Sequence, residues 1–294
     1  MSTLTAPPTA ASPAPAPTAK PRPRLSVGTL LSLFVVSAAA VVALLPLVWL
    51  LTASIRTQGD LTGNPSTIIP SEVTLQNYVD IWSMIPFGRQ FLNTTIFALT
   101  VACVSVVIDS MAAYALARFR FRGRTFVFVA LIASLLVPIQ VTFVPVYNLL
   151  VDLGWINTLH GLIIPRIADA FGIFFLRQFF LAMPRDLEDA ARIDGAGEFQ
   201  IFRRIMFPLA GPALVTIFIF NLVNNWNDLL WPLMVMPDQD TTTLPAGLSM
   251  FRGQYTVDYG PLMAGATLAL IPMIIAFIVV QRRFIESIAT TGIK

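Results

Sequence analysis

Residues 184–208, PRDLEDAARIDGAGEFQIFRRIMFP, decide how the rest of the sequence is read. They separate two long apolar runs, yet they hold Arg185, Asp186, Glu188, Asp189, Arg192, Asp194, Glu198, Arg203 and Arg204. Charge at that density is too unfavourable in hydrocarbon to belong to a span, so the segment lies in water or against protein. Its local chemistry predicts helix, turn, helix. Pro184 suits a first helical position, and the carboxylates that follow complement the positive end of a helix dipole. Leu187, Ala190 and Ala191 recur at i, i+3 and i+4, where two alanines let another backbone come close. Gly195 supplies the stop, because only glycine takes a left-handed C-terminal position without steric cost. Phe199, Phe202 and Met206 mark a second amphipathic face, and Pro208 restarts the chain into the next apolar run. The expectation is a charged knob between two membrane-crossing helices. An amphipathic helix resting at the lipid interface is the plainer alternative.

The surrounding composition agrees with a membrane setting. Of 294 residues, 56% are hydrophobic and 12% charged, against about 25% charged in soluble domains. The net charge of +3 does not imply a nucleic-acid partner, since the arginines punctuate apolar runs instead of forming a basic face. The single cysteine, Cys103, excludes an internal disulfide framework and a cysteine metal cluster. Residues 1–24 hold seven prolines among Ala, Thr and Ser, a composition that cannot bury enough apolar surface to order itself and predicts a disordered tail. The apolar run 27–51 is long enough to cross a bilayer and too long for a cleaved signal segment. Five more spans follow, at about 91–116, 125–146, 159–182, 209–230 and 262–280. Six spans put both ends on one side, and that side then holds fifteen of the nineteen Lys and Arg residues. By the positive-inside rule it is the cytoplasm, which also places the knob there. The fold class expected is all-α and polytopic, with a tail at 1–24 and a six-helix domain at 25–294.

Several functions are excluded by what the chain lacks. Its only lysines are Lys20, in the tail, and Lys294, the last residue, so no glycine-rich phosphate loop with a reaching lysine can be built. One histidine, His160, rules out His-pair metal sites, and nothing marks Ser105 or Ser134 as an activated nucleophile beside it. No catalytic or metal-binding residue is assigned, and an enzyme is not expected. If ATP drives this protein, it is hydrolysed on another chain.

A transport path has one candidate. Asn221, Asn224, Asn225 and Asp228 recur at i, i+3, i+4 and i+7 near the end of the fifth span, beside Trp226. Polar residues in a span face the bundle interior or a water-filled path, and amides with aromatics suit the hydroxyls and ring faces of a sugar. Hydrogen bonding between helices is the competing explanation. Asp109 lies deep in the second span, Arg166 and Asp169 stand where they can offset each other's charge, and Pro138 and Pro145 permit a break in the third span.

The knob also resembles a family signature. Permease subunits of ATP-binding-cassette importers carry EAA, three residues, G, nine residues, I, one residue, LP. Here Asp189, Ala190 and Ala191 precede Gly195, and Ile205, Phe207 and Pro208 follow at the matching spacing. Asp replaces Glu at the first position and Phe replaces Leu near the end. With NNWNDLLWP and QRRFIESIATTGIK downstream, the chain from about residue 25 onward is similar to the carbohydrate-uptake branch, specifically the maltose-type second permease. The resemblance implies the type I importer permease fold and a bacterial inner-membrane location. It implies a second homologous permease, two ATPase subunits holding ATP and Mg, and an extracytoplasmic substrate-binding protein. This chain would bind no cofactor. Glu188, Asp189, Ala190, Ala191, Asp194, Gly195, Ile205 and Pro208 would couple it to the ATPase, with Glu188 and Asp189 pairing with a basic residue there. The sugar would move by alternating access; the alternative is an ion-coupled secondary transporter using Asp109 or Asp228.

Overall fold

A computed structural model describes residues 27–249 and 258–291 of the chain, and every regular element among them is helical. The tail 1–24, the middle of the second long loop (residues 237–261) with Arg252, and Lys294 lie outside the described residues, as do the side chains of Arg282 and Arg283. Helix α1, Val27–Ala53, is uncharged throughout and, at about 1.5 Å per residue, long enough to cross a bilayer. Among the described residues, those up to Leu47 form one unit and those from Val48 onward form the other.

The second unit begins with a loop that the sequence marks only as polar. Arg56 is completely buried there. Its guanidinium donates to Asp60 Oδ2 at 2.7 Å, to the Asp60, Asn64 and Thr67 carbonyls, and to Thr67 Oγ1. Asp60 also accepts from the Ser71 hydroxyl and amide. The Arg56 guanidinium, with help from Ser71, holds the Asp60 carboxyl well below the usual carboxylate range. A depressed folded pKa contributes stability that is complete above the unfolded value and is lost as pH falls through the folded one. Asp60→Asn is therefore expected to lower the unfolding temperature by the same amount across pH 5–8. In that variant the loss of stability on acidification below pH 4 becomes shallower, which thermal unfolding followed at each pH would read.

Two short helices, α2 (Gln58–Gly63) and α3 (Gln76–Met84), complete that loop. Then comes α4, Phe87–Arg118, the axis of the unit. Its Ala98, Ala102, Ser105, Ala113 and Ala117 are fully buried, because small side chains let neighbouring helices approach closely. Helix α5, Arg124–Ser134, meets α6, Ile139–Asp152, at 100°. The predicted third span is thus not one rod: Pro138 stands at the break and starts α6, whereas Pro145 lies inside it. The fourth span is also interrupted. Helix α7, Leu159–Ile163, and a short 3-10 turn precede α8, Ala170–Ala182.

The knob follows as α9 (Asp186–Ile193), α10 (Glu198–Ile201), one turn of π-helix (Phe202–Met206) and α11 (Phe207–Leu209). The segment ending at Leu209 meets α12, Gly211–Trp226, at 77°. Helix α12 stops earlier than the sequence predicts, so Asp228 lies beyond it. Helices α13 (Leu230–Val235), α14 (Leu244–Ser249) and α15 (Tyr259–Thr291) end the chain. Among the described residues, four segments are long and apolar enough to cross a membrane alone, and six if each bent pair is one span.

Helices α4, α8 and α12 build the main core from Val106, Tyr114, Leu176, Phe180, Ala213 and Ile217, among others. At the opposite end the described part of the second long loop is pinned to the start of α4. Asn93 donates to the Thr241 carbonyl at 2.6 Å, Gln90 to the Gln239 carbonyl at 3.0 Å, and Thr94 Oγ1 accepts from the Leu244 amide at 2.7 Å. The part from Pro237 to Ser249 is therefore held against α4 and is not a free connector.

Candidate functional site

The knob is anchored, and the sequence explains only half of how. Helix α9 ends as predicted at Gly195, whose φ of 84° is left-handed. The Gly195 amide donates to the Arg192 carbonyl at 3.1 Å and the Ala196 amide to the Ala191 carbonyl at 2.9 Å. This pair of bonds satisfies the last carbonyls of α9 and turns the chain sharply. Beyond the turn, Ile201, Phe202 and Met206 are buried in the core of α4, α8 and α12. The predicted face was Phe199, Phe202 and Met206, but Phe199 is exposed. On α10 Ile201 takes the buried place instead, and in the π-turn that follows the Phe207 amide donates five residues back to the Phe202 carbonyl, with Phe202 and Met206 on the same core. Tyr114 of α4 sits beneath, with ring centroids 5.3 Å from Phe202 and 5.7 Å from Phe180.

The first half of the knob is held by charge. Arg118, the last residue of α4, lies 2.7 Å from Glu188 of α9, and both side chains are nearly inaccessible, at 3% and 2%. Arg118 also donates to the Met183 carbonyl at 2.9 Å. This corrects the role expected of Glu188: it is taken up by the chain's own arginine and does not face a partner's. Ala191 is likewise buried, so only one of the two alanines is presented outward. Asp189, Ala190, Asp194, Gly195 and Pro208 are exposed, and Ile205 packs half-buried on the core. Leu187 and Ile193 add exposed apolar surface to the same short helix.

Arg192 ties the two halves together. Its Nη1 donates to Asp189 at 2.8 Å, and Nε and Nη2 donate to the two Glu198 oxygens at 2.8 and 3.1 Å. That bidentate pairing raises the Arg192 pKa further and holds the Glu198 carboxyl below its ordinary range. Arg118 had no distinguishing signal in the sequence, where it reads as one of four alternating arginines after an apolar run.

The polar residues of the fifth span do not share one face as predicted. Asn221 is buried and donates to Ser105 Oγ of α4 at 2.7 Å, and Asn225 is buried and donates to the Asn221 carbonyl. Asn225 Oδ1 is buried with no hydrogen-bond partner among the described residues. Trp226 donates to the Ala269 carbonyl at 3.1 Å, joining α12 to α15. Asn224 is exposed. Asp228, past the helix end, pairs with Arg166 at 2.8 Å, and Arg166 lies 5.9 Å over the Trp231 ring. Arg166 and Asp169 do not offset each other, because Asp169 instead accepts from the Gly172 amide and caps α8. Asp109, fully buried, accepts from the Asp169 amide at 3.0 Å. It is a contact within the bundle, completing the start of α8 where the span is broken. No group of His, Cys, Asp and Glu suited to a metal occurs among the described residues.

Residues 105–289 match the family described as binding-protein-dependent transport system inner membrane component. An arabinooligosaccharides transport system permease protein of Halalkalibacterium halodurans is 37% identical over 258 residues, covering 87% of this chain and 92% of that one. A diacetylchitobiose uptake system permease protein of Streptomyces coelicolor is 33% identical, covering 85% and 84%. An sn-glycerol-3-phosphate transport system permease protein of Escherichia coli is 31% identical, covering 84% and 91%. In fold, the chain is similar to one in the crystal structure of a bacterial ABC transporter involved in the import of the acidic polysaccharide alginate. The TM-score is 0.77 at 23% identity, with 90% of this chain and all of that one covered.

Proposed function

Because the chain belongs to the family of binding-protein-dependent transport system inner membrane components, we propose that it imports a sugar or related small carbohydrate as one permease subunit of an ATP-binding-cassette importer. The family is the multi-pass membrane component of such importers and works with a substrate-binding protein and an ATPase. The fuller assembly is one homologous permease, two ATPase subunits carrying ATP and Mg, and one extracytoplasmic binding protein. Relatives named for oligosaccharide cargo support the substrate class. Lys and Arg placement supports both termini and the knob being cytoplasmic.

The observation that carries the mechanism is the two-sided knob. Its outward surface, with Asp189, Ala190, Asp194, Gly195 and Pro208, is what an ATPase groove would meet. Its inward surface is joined to α4, α8 and α12 through Glu188, Ile201, Phe202 and Met206. A push on the first is passed to the spans by the second, and the spans rock between outward- and inward-open arrangements. The ion-coupled alternative is not favoured, since Asp109 is packed against α8 and Asp228 is paired with Arg166. Along the path, Asn224 is the exposed amide left to meet a sugar hydroxyl, while Asn221 and Trp226 hold helices together.

The test is ATP-dependent uptake of a labelled oligosaccharide into vesicles holding the chain with its co-expressed partners and binding protein. Uptake driven by an ion gradient without ATP would overturn the proposal. Gly195→Val supplies the specific prediction. Nothing lies within 4 Å of a Cβ there, so the only penalty is a β-branched residue at a left-handed position, about 1–2 kcal/mol. Uptake and stimulated ATP hydrolysis are expected to fall together while membrane insertion is kept, and Gly195→Asn is expected to retain most activity. Full activity in the valine variant would remove the bend from the mechanism.

A further inference from the structure

The end of the bundle that carries the knob also has a basic concavity that coupling does not use. It has a volume of about 370 Å³ and is lined by Arg120, Phe121, Arg124, Phe126, Phe128 and Arg177, where the turn between α4 and α5 meets α8. Of the four arginines in ARFRFRGR, Arg118 is committed to Glu188. Arg120, Arg124 and Arg177 have no carboxylate within ion-pair distance among the described residues. Two of them are nonetheless held in place. Arg177 Nε donates to the Leu116 carbonyl at 3.1 Å and its guanidinium stacks 3.8 Å over the Phe128 ring. Arg124 Nη1 donates to the Phe119 carbonyl at 3.2 Å. Each guanidinium has five N–H donors, so most of this donor capacity remains available.

Three like charges gathered around one concavity oppose one another unless an anion lies between them. Helix α5 contributes in the same sense, for it starts at Gly123 with no side-chain cap and its positive end opens here. The walls say which anion. Phe121 and Phe126 are exposed, and α5 has no buried residue along its length. An apolar helix face therefore leads directly away from the basic turn. A soluble anion has no use for that face, whereas the acyl chains of a phospholipid do.

We propose that this concavity is a binding site for the phosphate of an anionic phospholipid, with Arg120, Arg124 and Arg177 as its ligands and α5 as the surface along which the acyl chains lie. The bound lipid neutralises the turn that carries Arg118, and so stabilises the root of the knob. The site is independent of the cargo and of the coupling assignment.

The experiment uses the full chain purified in mild detergent with its partner subunits, probed by native mass spectrometry with phosphatidylglycerol and phosphatidylcholine of equal chain length. The wild type is expected to retain phosphatidylglycerol about tenfold better, and the R120Q/R124Q variant to lose that preference. R120Q alone keeps the test valid if the double variant folds poorly, because Arg120 makes no bond within the described fold, and it is expected to lose part of the preference. An unchanged preference in both variants would overturn the site. Displacement of phosphatidylglycerol by millimolar inorganic phosphate would assign it to a free anion instead. A preference seen only when the ATPase subunits are absent would assign it to an acidic protein surface.

Discussion

Arg118→Ala is expected to destabilise the folded chain by about 3–5 kcal/mol, the cost of leaving a buried charge without its partner. Arg118 and Glu188 meet at 2.7 Å with almost no solvent access, so Glu188 cannot recover its hydration when the guanidinium is removed. Arg192 Nη2, at 3.4 Å, is its only other cation among the described residues, and that arginine is already committed to Asp189 and Glu198. The Met183 carbonyl loses its donor as well. Thermal unfolding of the assembled complex should show the loss. Substrate-stimulated ATP hydrolysis should fall further than overall stability does, since the same bond roots the knob on α4. The double variant Arg118→Ala with Glu188→Ala is expected to be less damaged than Arg118→Ala alone, because no naked carboxylate remains. Strict additivity of the two single changes would mean that the pair does not act as a unit.

A second large loss is expected at Gly172, near the start of α8. A Cβ there would stand 2.5 Å from Asp109 Oδ2, 3.2 Å from its Cγ and 3.4 Å from Ile217 Cγ2. Those atoms belong to α4 and α12, so one methyl group would push three packed helices apart. Asp109 cannot rotate away without giving up the Asp169 amide that it caps. Gly172→Ala should therefore cost about 1–3 kcal/mol, the range for overfilling a packed core. Gly211→Ala is the control: nothing lies within 4 Å of its Cβ, and it should change little. Asp109→Ser, which shortens the opposing side chain, is expected to make Gly172→Ala less harmful than the sum of the two changes. If Gly172→Ala and Gly211→Ala unfold at the same temperature, the close approach of α4 to α8 is not what the geometry indicates.

The spans and the knob were legible in the sequence for different reasons. Long apolar runs register through composition, which survives any arrangement in space. Gly195 and the acidic first turn of α9 register because capping and helix dipoles act over a few residues. The ordered gaps from Asp189 to Pro208 carried the family resemblance. The breaks in the third and fourth spans were harder to place. Pro138 signals a break without its angle, and Asp169 reads as a charge awaiting a partner instead of a helix cap.

Partnership between distant residues was not legible at all. Glu188 looks like its neighbour Asp189 in sequence, yet one is buried against Arg118 and the other is exposed. Asn221, Asn224, Asn225 and Asp228 look like one stripe, but α12 ends at Trp226 and Asp228 turns to Arg166. The sequence by itself determined the class of molecule, the number of spans expected and the place of the charged knob, since apolar length, charge placement and turn chemistry are local properties. Only the tertiary structure decided which carboxylate anchors the loop, which amides join helices and which arginines are left to gather an anion. Those outcomes depend on which side chains from distant parts of the sequence the packing of helices brings together, often within about 3 Å, the reach of a hydrogen bond.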